Sequence, residues 1–218
     1  MSRASAAWLA AAVLLLTVLP VGCGPKNPDY QSIWTTTTST TPTPTGTPVP
    51  FSDYLQNNGV SGEPVAPDKL TDLTVSIPTP AGWQRVDKPG IPPTTEMIAR
   101  GDGFPNAMLV VFKLSGDFDA AELAKHGNDD ARLAENFKEL GASSADFHGF
   151  PSSMVEGSYN LNDKRLHTFN RIVIATGSGP DQDRYLVQLA VTSLADQAVA
   201  DAVDIEAVLH GFTVAAKK

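Results

Sequence analysis

The hydrophobic and polar positions divide the chain into three regions of different character. Residues 4–22 carry no charge and are mostly apolar, whereas residues 35–48 contain nine Thr and three Pro among fourteen positions. The second composition cannot bury a core and favours an extended, hydrated backbone. From Phe51 onward, apolar residues recur at the periods of strands and helices. The pattern predicts three units: a signal segment at 1–22, a tether at 23–50 and one globular domain at 51–218.

Alternating apolar and polar positions predict the strands of this domain. Leu73, Val75 and Ile77 alternate with polar residues, and residues 107–112 form an apolar run typical of a central strand. Other patterns predict further strands at 96–99, 154–161, 166–175 and 184–191. The turn residues 162–164 separate two of these strands, which predicts a hairpin. Because short connections join neighbouring strands in opposite directions, we expect an antiparallel sheet.

Helical spacing predicts three helical regions in the same domain. The first begins at Phe51, and the second follows Asp119, which together with Glu122 matches a capping box. Beyond a break at Gly127-Asn128, the second region is predicted to continue through Leu133, Phe137 and Leu140. The terminal helix carries an apolar stripe: Ala198, Ala202, Ile205, Leu209 and Phe212. Helices that cover the apolar face of an antiparallel β-sheet define an α+β fold.

Composition and charge narrow the classes of function. Hydrophobic residues make up 42% of the chain, which is enough for a core. The formal charge of −8 argues against a nucleic-acid binder, since such proteins normally present a basic surface. The sequence contains neither Gly-x-Ser-x-Gly nor His-Glu-x-x-His, and its four histidines lack metal-ligand spacing. We therefore expect no enzyme, no metal and no cofactor. A Ser/His/Asp site assembled by folding is the alternative left open.

The single cysteine lies where a lipid anchor would be attached. Cys23 follows the apolar segment after a small residue, Gly22, and this context resembles the lipobox of bacterial lipoproteins, with Pro20 where Leu is usual. In a lipobox the cysteine sulfur takes a diacylglyceryl group and the residue becomes the new N-terminus. Several acyl chains anchor a protein stably, because each buried methylene contributes about 0.8 kcal/mol. An uncleaved signal anchor and a buried thiol are the alternatives.

Two strand faces carry the candidate ligand-binding residues. His167, Phe169 and Arg171 share one face of a predicted strand, while Arg184, Gln188 and Thr192 share one face of the next. If these two faces coincide, they form a polar and aromatic groove that suits a sugar head group beside an apolar tail. The alternative is that both arginines pair with acidic residues on a solvated sheet.

Long strings of residues carry a family resemblance. They include Cys-Gly-Pro-Lys at 23–26, Leu-Thr-Asp-Leu-Thr-Val-Ser-Ile-Pro-Thr-Pro at 70–80 and Arg-Tyr-Leu-Val-Gln-Leu at 184–189. With these strings the chain resembles the LpqN/LpqT family of mycobacterial lipoproteins. The resemblance implies a domain like the PsbP/Mog1 α/β/α sandwich and a binding or accessory role without a catalytic motif, with mycolate glycolipid traffic as one proposed setting. Of the family's functional positions, it carries over only the acylated cysteine, Cys23.

Two classes of function follow as expectations. The first is a cell-envelope lipoprotein, held on the extracytoplasmic side of the membrane by its lipid anchor, that binds a lipid, a glycolipid or an envelope protein. The second is a surface-exposed, host-facing antigen or adhesin with no small-molecule ligand. Nucleic acid is not expected as a partner of either.

Overall fold

The computed structural model describes residues 47–101 and 103–218. The predicted signal segment, Cys23 and most of the predicted tether lie outside these residues. The strands are β1 (Ser61–Pro64), β2 (Leu73–Ser76), β3 (Gln84–Arg85), β4 (Glu96–Ala99), β5 (Asn106–Ser115), β6 (Lys138–Ser143), β7 (Ser152–Leu161), β8 (Lys164–Thr176), β9 (Arg184–Leu194) and β10 (Thr213–Ala216). The α-helices are α1 (Phe51–Asn57), α2 (Ala120–His126), α3 (Asp129–Arg132) and α4 (Ala198–Gly211).

One antiparallel sheet forms the centre of the domain. Its order is β3-β4-β5-β9-β8-β7-β6, and β1 pairs with the part of β5 that β4 leaves open. The predicted hairpin is confirmed: β7 pairs along its full length with residues 164–173 of β8, around a turn at Asn162 and Asp163, whose φ angles are 47° and 61°. Such left-handed backbone matches the twist of a hairpin and suits Asn and Asp better than most residues.

Two hydrophobic cores lie on opposite faces of this sheet. On one face, α1 and α2 cover an apolar patch that includes Leu114, Ile172 and Ile174. On the other face, α4 and the small sheet of β2 and β10 cover Val173, Val187, Leu189 and their neighbours. The predicted antiparallel sheet packed by helices is confirmed. Within the described part of the chain, every buried residue of both cores lies between positions 51 and 214, so a chain that begins at Gly24 keeps all of them.

The helix α2 begins and ends at the residues that the sequence predicted. Asp119 caps α2, because its Oδ1 accepts a hydrogen bond from the backbone N–H of Glu122 at 2.8 Å. The helix breaks at Gly127 as expected, and α3 begins directly after Asn128. Gly127 lies against Ile172, where an added Cβ would come within 2.7 Å of the side chain. The short α2 is thereby held close to the sheet.

The predicted helical continuation beyond Arg132 is wrong. Leu133 is 48% exposed, and Asn136 adopts a left-handed φ of 51° that ends helical geometry. The next residues form β6, which pairs with the edge of β7. Phe137 lies over Gly157 of β7, at a spot where any side chain on residue 157 would collide with its ring. Pairing along an open sheet edge therefore overrides the helical spacing of these apolar residues.

Candidate functional site

The strand register separates the predicted ligand-binding residues. In the pairing of β8 with β9, Phe169 lies opposite Val191 and Arg171 opposite Leu189, whereas Gln188 lies opposite Ile172. Directly paired residues share a face. His167, Phe169 and Arg171 therefore point towards the α4 face, and Arg184, Gln188 and Thr192 towards the α2 face. The single groove expected from both sets is wrong, because the two faces do not coincide.

A half-open pocket lies on the α4 face and includes two of the predicted residues. Its volume is about 250 Å³. The strand β8 contributes Phe169 and Arg171, and the remaining lining comes from the β6–β7 loop, the end of α4 and the residue after it: Phe147, Leu209, His210 and Phe212. Three phenylalanines and a leucine make its walls apolar, and Arg171 brings a charge into them.

A tight turn positions Phe147 over the pocket. The backbone groups of Phe147 and Phe150 exchange hydrogen bonds of 2.9 and 3.0 Å. The two residues between them, His148 and Gly149, have φ angles of 53° and 86°. The turn stacks the Phe147 ring on Phe212 at 5.0 Å between centroids. Contact with Phe212 ties the loop to the residue that follows α4, so one wall of the pocket joins two distant parts of the chain.

Arg171 lies in this pocket, and no described residue provides it with a counter-charge. Its Cζ lies 4.8 Å from the ring centroid of Phe147 and 5.7 Å from that of Phe169. Its Nη1 donates one long hydrogen bond, 3.3 Å, to Ser152 Oγ. Among the described residues no carboxylate lies within ion-pair distance of the guanidinium. Burial lowers the pKa of Arg171 to about 10, because desolvation disfavours the charged form.

The sequence prediction missed the other lining residues for different reasons. Leu209 and Phe212 belong to the predicted apolar stripe of α4, and that pattern cannot distinguish a core position from a pocket wall. Phe147 lies in a loop, and only the folding of that loop against the residue after α4 places it. His210 follows Leu209 at the end of the helix and is exposed.

His167 belongs to a buried polar group beside the pocket and does not line it. Its Nε2 lies 2.8 Å from Glu156 Oε1, and the two residues are 4% and 1% exposed. Ser193 lies opposite His167 in the register, and its Oγ is buried without a hydrogen-bond partner in the described part of the chain. A serine, a histidine and a carboxylate thus share one face of the sheet. Ser193 is fully buried, so a substrate cannot reach its hydroxyl in this structure.

Gln188 and Arg184 stabilise the opposite face of the sheet through hydrogen bonds. Gln188 Nε2 donates to Asn170 Oδ1 at 3.0 Å, and Asn170 in turn donates to Asn128 at 2.7 Å, which links the sheet to the start of α3. Arg184 donates to the carbonyl oxygens of Phe118 and Gly116 and lies 3.6 Å over the Phe118 ring. Arg184 therefore fixes the loop that leads into α2.

No group of three or more His, Cys, Asp or Glu side chains is arranged to hold a metal ion within residues 47–101 and 103–218. In the same part of the chain, no helix is long and apolar enough to cross a membrane.

Comparisons with known proteins agree with this fold. A family model described as "Probable lipoprotein LpqN" matches residues 47–215. The chain is 60% identical to the lipoprotein LpqT of Mycobacterium tuberculosis over 96% of its own length and 93% of that protein. It is 40% identical to a proline-rich 28 kDa antigen of the same species over 75% of this chain and 53% of that one. The crystal structure of M. tuberculosis LpqN covers 78% of this chain and 99% of its own at 21% identity, with a TM-score of 0.64. The chain belongs to the LpqN family of lipoproteins.

Proposed function

We propose that this protein is a non-enzymatic lipoprotein of the cell envelope whose domain binds an amphipathic molecule, a lipid or a glycolipid, in the Arg171 pocket. One observation carries the proposal: an aromatic, half-open pocket contains a guanidinium that has no counter-charge among the described residues. Pockets for small molecules are typically apolar with a few converging polar groups. The envelope setting is supported by the relative LpqN, whose structure is described as involved in cell envelope biogenesis.

The size of the pocket indicates how such a molecule binds. Its volume of about 250 Å³ lies below the roughly 300–1,000 Å³ typical of sites that enclose a whole small ligand. A two-chain lipid or a glycolipid therefore cannot be enclosed. The pocket suits the junction between a polar head and the first carbons of a tail, with the rest of the molecule outside. Partial enclosure favours a carrier or accessory role, because such a ligand can be handed on without unfolding the site.

The lipid anchor at Cys23 is the second part of the proposal. Acylation there would hold the domain at the membrane, and residues 24–50 would span roughly 30 Å as a flexible coil or about 80 Å when fully extended. This tether lets the pocket reach molecules beyond the head groups of the anchoring lipids. We expect the wild-type protein to carry the added mass of acyl chains and to stay with membranes. A Cys23→Ala variant should lack both properties. Equal mass and equal membrane retention in the two proteins would contradict lipidation.

Native mass spectrometry of the protein extracted from membranes tests ligand binding. We expect a co-purifying lipid in about one-to-one ratio with the wild type and a large loss of it in Phe147→Ala, which removes the wall that covers the pocket. Leu161→Ala is the matched control, since Leu161 is an exposed apolar residue at the tip of the β7–β8 hairpin. A wild type free of lipid, or equal lipid in both variants, would contradict the proposal. A lipid-free protein would favour the alternatives, a host-facing antigen or a protein that docks only an envelope protein.

A further inference from the structure

We infer that the head group bound in the pocket is an anion, a carboxylate or a phosphate, that pairs with Arg171. This inference rests on the proposed function, because it names the chemical class of the ligand in the same pocket. An anionic head group distinguishes the expected ligands from neutral amphiphiles such as glycolipids with uncharged sugar heads.

The hydrogen-bonding state of Arg171 distinguishes it from the other arginines of the domain. Arg85, Arg100 and Arg132 each pair with at least one carboxylate. Arg165 and Arg184 donate to backbone carbonyl oxygens. Within the described residues Arg171 has neither kind of acceptor, and its one hydrogen bond goes to the Ser152 hydroxyl. Most of its five N–H donors are therefore available to a molecule in the pocket.

The charge of Arg171 is the reason why an anion fits better than a neutral head. Removing a charge from water is costly unless it is paired and hydrogen-bonded. The rings of Phe147 and Phe169 attract the cation through their faces, but they supply no acceptor for its N–H groups. A sugar hydroxyl would accept a hydrogen bond and leave the charge uncompensated. A carboxylate or phosphate accepts two parallel N–H bonds and compensates the charge at once.

The apolar walls determine where the rest of the ligand lies. Leu209 and Phe212 line the same pocket as Arg171, so the carbons next to the head group contact them when the head pairs with the guanidinium. A free inorganic anion would leave these walls without a partner. The pocket is therefore built for an anion that carries an alkyl chain.

Isothermal titration of the chain from Gly24 onward tests this inference with short amphiphiles whose alkyl tails have seven or eight carbons. The probes are octanoate, octyl phosphate and octyl glucoside, each used as a monomer, with acetate and inorganic phosphate as tail-free controls. The variants are Arg171→Gln, Arg171→Lys and Arg184→Gln. Arg184 is a matched control because it also lies over a phenylalanine ring, on the opposite face of the same sheet.

The expected result is a preference for charge that depends on Arg171 alone. Octanoate and octyl phosphate should bind the wild type roughly tenfold more tightly than octyl glucoside, since hydrogen bonds to charged groups are the stronger ones. Arg171→Gln should lose this preference, Arg171→Lys should keep part of it, and Arg184→Gln should bind like the wild type.

Four other results would overturn one claim or both. If octyl glucoside binds as tightly as the anionic probes, or if Arg171→Gln keeps the preference, the pocket does not select its head group through the charge of Arg171. The anionic head group is then wrong, and the proposed function still holds. If acetate or phosphate binds as tightly as its octyl counterpart, the pocket is a free-anion site and both claims are wrong. If no octyl probe binds the wild type, the proposed function itself is wrong.

Discussion

Arg171 has no ion-pair partner among the described residues, and we therefore predict that replacing it by Met makes the ligand-free domain more stable. Burial lowers the pKa of Arg171 to about 10. One pKa unit corresponds to about 1.4 kcal/mol, so keeping the charge in the folded state costs about 3 kcal/mol. This cost is offset in part by contacts with two rings, about 0.5–1 kcal/mol each, and by the long bond to Ser152, about 1 kcal/mol. The net gain expected for Arg171→Met is therefore up to about 1 kcal/mol.

The pH at which this gain is measured follows from the direction of the pKa shift. The pKa of Arg171 is lower in the folded than in the unfolded state, so its charge destabilises the folded state to the full extent at pH values below about 10. This effect fades as the pH rises through 10. Urea denaturation at pH 6 and at pH 8 should therefore give the same gain. In a thermal melt the gain corresponds to a rise in Tm of about 2–4 °C for a domain of this size.

Arg184→Met is the control with the opposite expected sign. Arg184 donates to two backbone carbonyl oxygens and lies over Phe118, so its loss should lower the free energy of unfolding by about 1–3 kcal/mol. If Arg171→Met instead lowers that free energy as much as Arg184→Met does, Arg171 is a structural residue. The assignment of Arg171 to ligand binding would then be wrong.

Two further predictions concern packing and alkaline stability. Gly157→Ala should destabilise the domain by about 1–3 kcal/mol in urea denaturation, because the added Cβ would lie 2.4 Å from the ring of Phe137. Gly141→Ala is the control: its Cβ meets nothing closer than 3.7 Å, so its effect should be near zero. Equal losses of stability in the two variants would contradict the predicted clash. Tyr185→Phe should cost about 1 kcal/mol near pH 8, since the hydroxyl donates to Asp72 at 2.8 Å. Burial, with help from Asp72, raises the pKa of Tyr185 above its usual range, so the unfolded chain ionises first and wild-type stability falls above about pH 10. Denaturation from pH 8 to pH 11 should show a shallower fall in Tyr185→Phe, and an identical slope in both proteins would refute this assignment.

Local patterns in the sequence were sufficient for most elements of the fold. Strand alternation predicted β7 and β9, and the short turn at Asn162 predicted β8 as the hairpin partner of β7. Asp119 marked the start of α2 because capping depends on residues three apart. The prediction of a helix through Leu133 and Phe137 was wrong for a clear reason. Apolar residues at helical spacing also fit a loop followed by an edge strand, and only the exposed edge of β7 decides between them.

The candidate site depended on relations that a single strand does not contain. Alternation fixes which residues of β8 share a face, and it does the same within β9. It does not fix how the two strands align, and a shift of one residue would have placed Arg171 and Gln188 on the same face. The observed register puts them on opposite faces. The sequence prediction found Phe169 and Arg171 and grouped them with the wrong neighbours for this reason.

The sequence by itself determined the properties that local chemistry decides: the antiparallel α+β domain, the expectation of a lipid anchor at the single cysteine, Cys23, and the acidic charge that argues against nucleic acid. Only the tertiary structure decided that Phe147, from a loop, and Phe212, after the last helix, would enclose Arg171. The physical reason is that the site consists of contacts between residues far apart in the chain. Within residues 47–101 and 103–218, the missing counter-charge of Arg171 is likewise a property of its neighbours in space, because nothing in the order of residues around position 171 determines which carboxylates come near it.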